Sequence, residues 1–205
     1  MNKLFLASQF NVVGGLVKRF FGGLNLADIK IAYIPNAEPM KEPKDRSSYK
    51  TLEFLGFKEI IITDVEKLEK DEVKNIFDEC QAIFGAGGDP VYLVDKLRET
   101  EVGKLLIQEI KKGKFYLGSS AGSMIMGEKI KTTKYLGQKT TPGFGLIKFS
   151  ILPHWGNEDD RDYKDKKVEL IQESYDEKLA MMTLNDNQVV VAEDNKIEIW
   201  NKKIE

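Results

Sequence analysis

A serine between two glycines is the feature of this sequence that most directly indicates covalent chemistry. Ser120 is the central residue of Gly118-Ser119-Ser120-Ala121-Gly122, which follows an apolar segment at 114–117 and leads into another at 123–127. A strand that turns sharply into a helix at such a serine holds the hydroxyl out of the sheet, and glycines leave room for that strained turn. The pattern predicts a nucleophile at Ser120, although a glycine-rich helix start with a serine N-cap is an alternative interpretation.

His154 is the only histidine in the chain and the natural partner for a serine nucleophile. A serine hydroxyl reacts slowly until a neighbour takes its proton, and an imidazole with an ordinary pKa of about 6.5 can do so near neutral pH. Because His154 follows the strand-like segment 149–153, we expect it on a loop at a strand end. One histidine and one distant cysteine predict no metal site.

The sequence leaves open which carboxylate orients the imidazole. Glu128 lies eight residues beyond Ser120 on the expected helix, a rise of about 12 Å, which is too far. Glu158 belongs to an acidic run that we expect on a solvated face. Asp186, in a loop between two predicted strands, is better placed, although an ordinary Asn-Asp-Asn turn explains it equally well. A Ser-His pair without a carboxylate is a further alternative.

A second glycine-rich segment, 85–88, follows another predicted strand. Asp89 and Pro90 come next and suit the N-cap and first position of a helix. Backbone without side chains can approach a ligand closely, so the amides of Gly88 and Ala121 could together bind the oxyanion of a tetrahedral intermediate. A tight strand-to-helix connection without such a role is the alternative, and the segment lacks the glycine patterns of nucleotide-binding loops.

The elements that must position these residues alternate between strand and helix through the first two thirds of the chain. Short apolar runs predict buried parallel strands at 3–7, 29–34, 59–62, 82–84 and 115–117. Apolar residues at spacings of three and four predict helices at 12–21, 48–55, 67–80, 90–97 and 102–112. This order predicts an α/β fold with a mostly parallel sheet and helices on both faces, whose ligands collect at the carboxyl ends of the strands.

The last third of the chain is richer in strands than in helices. Strand-like segments lie at 147–152, 179–183, 188–192 and 196–200, with one clear helix at 168–174. We expect antiparallel strands here to complete the sheet.

Composition favours a soluble protein that acts on small molecules. The 205 residues are 41% hydrophobic and carry a net charge of -2, so we expect one domain over 1–205, with no nucleic-acid partner. The N-terminal apolar run is too short for a signal peptide or membrane span, which predicts a cytoplasmic location. Cys80, the only cysteine, is expected to be structural rather than reactive. A homodimer is compatible with the size of the chain.

Together these motifs resemble the peptidase E family of serine peptidases, which also includes cyanophycinase-like enzymes. The segment 84–89 is similar to that family's Gly-Gly-Gly-Asn turn, 118–122 to its serine elbow, and Pro153-His154-Trp155 to its Pro-His-Phe. The resemblance implies a fold like that of class I glutamine amidotransferases. It also implies dipeptidase or exopeptidase activity, often on peptides with an N-terminal aspartate, and no metal or organic cofactor. An esterase, an amidase or a non-catalytic binding protein on the same fold is the alternative.

The resemblance assigns Ser120 as nucleophile, His154 as base, and the Gly88 and Ala121 amides as oxyanion donors. It departs from the family at one position, because the family's triad aspartate lies fifteen residues after the serine, where this chain has Tyr135. Asp186 is therefore predicted from its loop alone. A substrate carboxylate needs a fixed cation. Arg161 is the candidate, ahead of Lys164 and Lys167, although surface solvation is the expected role of all three.

Overall fold

The computed structural model describes residues 2–132, 140–157, 161–194 and 196–202, without the side chains of 161–166. Within these ranges the strands are β1 (Lys3–Ala7), β2 (Lys30–Ile34), β3 (Glu59–Ile62), β4 (Ala82–Gly85), β5 (Phe115–Ser119), β6 (Lys129–Lys131), β7 (Thr140–Pro142), β8 (Ser150–Leu152), β9 (Met181–Thr183), β10 (Gln188–Glu193) and β11 (Lys196–Asn201). The α-helices of the same ranges are α1 (Phe10–Val13), α2 (Val17–Phe20), α3 (Ser47–Leu55), α4 (Lys70–Glu79), α5 (Pro90–Glu99), α6 (Val102–Lys111), α7 (Ala121–Met124) and α8 (Arg161–Asp176).

A central sheet has the strand order β11-β10-β1-β5-β4-β2-β3. The first five strands, β1, β2, β3, β4 and β5, pair in parallel with their neighbours in this order. β10 pairs antiparallel with both β1 and β11. The predicted α/β class, with a mostly parallel sheet and antiparallel strands added from the C-terminal third, is confirmed. Carboxyl ends of β1, β4 and β5 therefore lie side by side at one edge.

Two apolar layers cover the two faces of this sheet. Successive strand residues point to opposite faces, so Leu4 and Leu6 belong to one layer while Phe5 belongs to the other. The Leu4 layer includes Val94 of α5, and the Phe5 layer includes Leu52 of α3. All five side chains are fully buried, which explains why the central strands read as continuous apolar runs.

Three details differ from the sequence prediction. The helix expected at 12–21 is interrupted by a 3-10 turn at Gly14–Leu16, because consecutive glycines there weaken a regular helix. The helix expected at 168–174 extends over all of α8. β8 and β9 do not extend the main sheet in antiparallel fashion but pair with each other in parallel. α8 lies between them in the chain and provides the crossover connection that a parallel pair needs.

Candidate active site

Ser120 lies at the turn from β5 into α7, in a backbone conformation that non-glycine residues rarely adopt. Its φ is 47° and its ψ is -105°, and its amide donates to the carbonyl of Ala7 at the end of β1. A Cβ on Gly118 would lie 2.7 Å from the Ser123 nitrogen, and one on Gly122 would overlap the Gly85 carbonyl. Both glycines are therefore required by close backbone approach, which is the steric condition for a nucleophile elbow.

The structure brings together the three residues predicted for nucleophile, base and orienting carboxylate. His154 Nε2 is 3.0 Å from Ser120 Oγ, and His154 Nδ1 is 2.6 Å from Asp186 Oδ1. A carboxylate only accepts hydrogen bonds, so Nδ1 carries the proton and Nε2 is left to accept from the serine hydroxyl. This arrangement can perform base-assisted attack by a serine on a carbonyl group.

Asp186 is ionised through the neutral pH range. Burial raises the pKa of its carboxyl, but the hydrogen bond and charge of His154, the Ser8 hydroxyl and the charge of Lys167 outweigh burial and lower the pKa from its ordinary value. The residue also lies in an Asx turn, in which the Asn187 amide donates to Asn185 Oδ1. Hence the Asn-Asp-Asn turn and the contact with the imidazole, weighed as alternatives in the sequence, exist together.

The two predicted oxyanion donors flank Ser120. Ala121 supplies the first amide of α7, and the turn containing Gly87 and Gly88 lies so close that a Cβ on Gly87 would be 3.6 Å from Ser120 Cβ. The Gly122 amide, which donates to the Ala86 carbonyl, ties the two turns together. Within the described ranges, the Gly88 and Ala121 amides have no hydrogen-bond acceptor. Both remain available to a ligand.

Ser120 and His154 open into a cavity of about 220 Å³. Its wall includes Gly88 and the loop before α3, which contributes Glu38 and Lys41. These two side chains are exposed and have no hydrogen bond or ion pair to any other described residue. Among the described residues, the site therefore combines the Ser120 hydroxyl with the unpaired side chains of Glu38 and Lys41.

A buried arginine holds the loop that carries those charges. The Arg46 guanidinium donates to the carbonyls of Pro35, Glu38 and Lys41. It is 4% exposed, and its Nε has no partner among the described residues. These hydrogen bonds from Arg46 hold the loop in place. The side chains of Glu38 and Lys41 are thereby kept at the cavity that contains Ser120.

Of the weaker orienting candidates, Glu128 lies in the described part of the chain, and it makes no hydrogen bond to His154 there. Glu128 is exposed, and α7 ends at Met124, so the expected helical path from Ser120 to Glu128 is wrong. Glu158 and Tyr135 lie outside the described residues.

The predicted cations have different outcomes. Arg161 and Lys164 belong to α8, but their side chains lie outside the described part of the chain. Lys167 is 2% exposed and donates to the His154 carbonyl, so the expected surface solvation is wrong for this residue. The His154 carbonyl, just after a strand end, accepts a hydrogen bond from the Lys167 ammonium group, and this allows the lysine to be buried.

Sequence reasoning missed two contacts of the site, those of Ser8 and Lys167. The Ser8 hydroxyl donates to Asp186 Oδ1 at 2.9 Å and accepts from the His154 amide at 2.7 Å. A signal existed for Ser8, because it is a polar residue directly after β1, at the sheet edge where ligands bind. Lys167 gave no such signal, since nothing in its helical surroundings marks it as buried.

Among the described residues, no group of three or more His, Cys, Asp or Glu side chains is arranged to hold a metal ion.

A mostly parallel α/β sheet with a serine at a strand-to-helix elbow, beside a histidine and a carboxylate, defines a hydrolase of the serine type. Residues 8–200 match the peptidase family S51. The chain therefore belongs to peptidase family S51 and is a serine-type peptidase. The resemblance to the peptidase E family is thereby confirmed.

Individual relatives agree with this assignment. An uncharacterized peptidase of Pasteurella multocida is 28% identical over 214 residues, which cover 99% of this chain and 100% of that protein. Peptidase E of Shewanella denitrificans is 32% identical over 92 residues, 43% of this chain and 39% of that protein. A crystal structure of a peptidase E protein from Listeria monocytogenes has a TM-score of 0.83 and 24% identity, covers 99% and 100% of the two chains, and supports the fold. No helix in the described ranges is long and apolar enough to cross a membrane.

Proposed function

We propose that this peptidase is an exopeptidase that cleaves short peptides, dipeptides among them, through an acyl-enzyme on Ser120. The observation that carries the proposal is the continuous hydrogen-bonded series from Ser120 through His154 to Asp186, which ends at a small polar cavity. Such a series activates a hydroxyl that is otherwise a weak nucleophile.

Each protein group has a defined task in the proposed reaction. Ser120 Oγ attacks the peptide carbonyl carbon while His154 Nε2 takes the hydroxyl proton, and Asp186 stabilises the imidazolium. The amides of Gly88 and Ala121 bind the oxyanion of the tetrahedral intermediate. His154 then gives its proton to the leaving amine. Water, deprotonated by the same imidazole, then attacks the acyl-enzyme; the bond to Ser120 Oγ breaks, the imidazolium returns its proton to Oγ, and the acid is released.

The cavity favours a short substrate with free ends. Its volume of about 220 Å³ is smaller than that of sites for drug-sized ligands. The free carboxylate of Glu38 suits a substrate ammonium group, and the ammonium group of Lys41 suits a substrate carboxylate. Binding of an acidic N-terminal side chain by Arg161 stays a prediction.

Kinetics on matched peptides test this proposal. We expect a free dipeptide to be hydrolysed with a kcat/KM at least tenfold above that of its N-acetylated, C-amidated counterpart, because only the free peptide can pair with both rim charges. Glu38→Gln should raise KM for peptides with a free amino group and leave KM for N-acetylated peptides unchanged. Lys96→Gln, at a surface ion pair outside the cavity, is the matched control.

Different results would separate the parts of the proposal. Equal hydrolysis of free and blocked peptides would contradict exopeptidase specificity while leaving a serine peptidase. Hydrolysis of small esters but of no peptide would favour the esterase alternative. Hydrolysis that persists in Ser120→Ala would exclude the acyl-enzyme.

A further inference from the structure

His154 has a left-handed backbone that its own side chain does not favour. Its φ is 58°, a backbone conformation that non-glycine residues keep only where the surroundings enforce it. Two side chains bind the two polar atoms of its backbone, whose carbonyl also accepts from the Asn157 amide at 3.5 Å. The amide donates to Ser8 Oγ at 2.7 Å, and the carbonyl accepts from Lys167 Nζ.

Ser8 connects the backbone of the histidine with the carboxylate that orients its ring. The hydroxyl is fully buried, accepts from the His154 amide and donates its one proton to Asp186 Oδ1 at 2.9 Å. The Ser8 amide donates to the carbonyl of Gln188, the first residue of β10. A single hydroxyl at the end of β1 thereby sets the position of both groups relative to the central sheet.

Lys167 fixes the other side of the same peptide segment. It is 2% exposed, and a buried ammonium group is stable only with a hydrogen-bond acceptor and an opposite charge. The His154 carbonyl is an acceptor, and the charge of Lys167 contributes to the lowered pKa of Asp186. The lysine thus links α8 to the loop that carries the base.

We propose that Ser8 and Lys167 are positioning residues, which together hold the left-handed backbone of His154 so that its Nε2 faces Ser120. Neither residue lines the cavity, so both act through His154 rather than on the substrate. The consequence for catalysis rests on the proposed function of the site.

Proton NMR and covalent labelling test the two parts of this inference separately. His154 is the only histidine, so its ring protons are assigned without ambiguity. In the wild type the Nδ1 proton, hydrogen-bonded to Asp186, should give a slowly exchanging downfield resonance. Ser8→Ala and Lys167→Met should broaden or abolish this resonance, and each should slow fluorophosphonate labelling of Ser120 at least tenfold, since a displaced base loses part of a contribution of about 10²–10⁴-fold.

Matched controls separate positioning from loss of stability. Ser174→Ala is the control for Ser8→Ala, because it removes a different buried hydroxyl, one in α8 that donates to the Leu170 carbonyl. Lys131→Met is the control for Lys167→Met, because it removes a different buried ammonium group, one paired with Glu177. Both should keep the resonance and label within about twofold of the wild type. If Ser8→Ala does not fold, Ser8→Cys keeps the side-chain volume with only a weak donor and should show the same losses.

The inference is overturned if Lys167→Met keeps both the resonance and the labelling rate of the wild type and the Ser8 variant that folds, Ser8→Ala or Ser8→Cys, does so too. A wild type that shows the resonance but is not labelled would contradict the proposed function, and the resonance in the variants would still decide the positioning role.

Discussion

Ser120 and His154 both have left-handed backbones, with φ values of 47° and 58°, but the molecule holds them in different ways. The serine elbow is fixed by close backbone packing, since a side chain on Gly122 would overlap the carbonyl of Gly85. In the histidine loop, side chains hold His154 itself, because Ser8 and Lys167 bind its amide and carbonyl, and the Trp155 amide adds a backbone bond to the Leu184 carbonyl. Backbone packing makes the elbow sensitive to any added atom, whereas the histidine loop is sensitive to the loss of a few polar groups.

The largest effect is expected from Asp186→Asn, which changes a side chain that holds His154. An asparagine can donate to Nδ1 and so stabilise the wrong tautomer of His154, which in a serine triad lowers kcat by about 10⁴-fold. Peptide hydrolysis measures the effect, and Asp78→Asn at a surface ion pair is the control. A kcat within tenfold of the wild type would show that the Ser-His pair works without a carboxylate.

The next largest effect is expected from Gly122→Ala, which changes the backbone packing of the serine elbow. The added methyl group must displace the Gly85 carbonyl, so we expect a loss of about 3 kcal/mol or more in the free energy of unfolding. Gly15→Ala is the matched control, because a Cβ there meets nothing within 4 Å. Urea denaturation of both variants measures the difference. Equal stability of the two variants would mean that the elbow is not closely packed.

Acid should weaken the side-chain half of the site through Asp186. The folded pKa of this carboxyl is lowered from 3.8, so its stabilising contribution is present above that value and is lost as the pH falls through the folded pKa. Unfolding free energies between pH 7 and pH 2 should therefore decrease less steeply with acid in Asp186→Asn than in the wild type. Parallel curves would show that the carboxylate is not selectively stabilised in the folded protein.

The smallest expected effect concerns Cys80, which tests whether reactivity is confined to the elbow. The thiol is 1% exposed, and burial raises its pKa to about 11. It should resist thiol reagents at pH 8 in the native protein and react fully in denaturant. Rapid stoichiometric modification of the native protein would contradict this burial.

The same difference explains what the sequence could predict. The glycines and apolar runs that mark the elbow lie within a few positions of Ser120, so the local sequence identifies it. Asp186 was found as one of several candidates, because only its loop position favoured it. Ser8 lies 146 residues from His154 in sequence, so its place directly after β1 marks it as a site residue but not as a partner of His154.

Long-range geometry also explains the errors in the predicted fold. The positions of β8 and β9 were predicted, but their parallel pairing depends on how α8 crosses between them. The helix from Ser120 is expected to reach Glu128, but α7 ends at Met124. Local propensity identifies elements, whereas their pairing and length depend on tertiary packing.

Mass-spectrometric mapping of a fluorophosphonate adduct is the most direct test of the proposed Ser120–His154 chemistry. We predict one adduct on Ser120 in the wild type, none in Ser120→Ala, and labelling slower by about 10²-fold or more in His154→Ala. An adduct on another residue, or a labelling rate that neither substitution changes, would contradict the account.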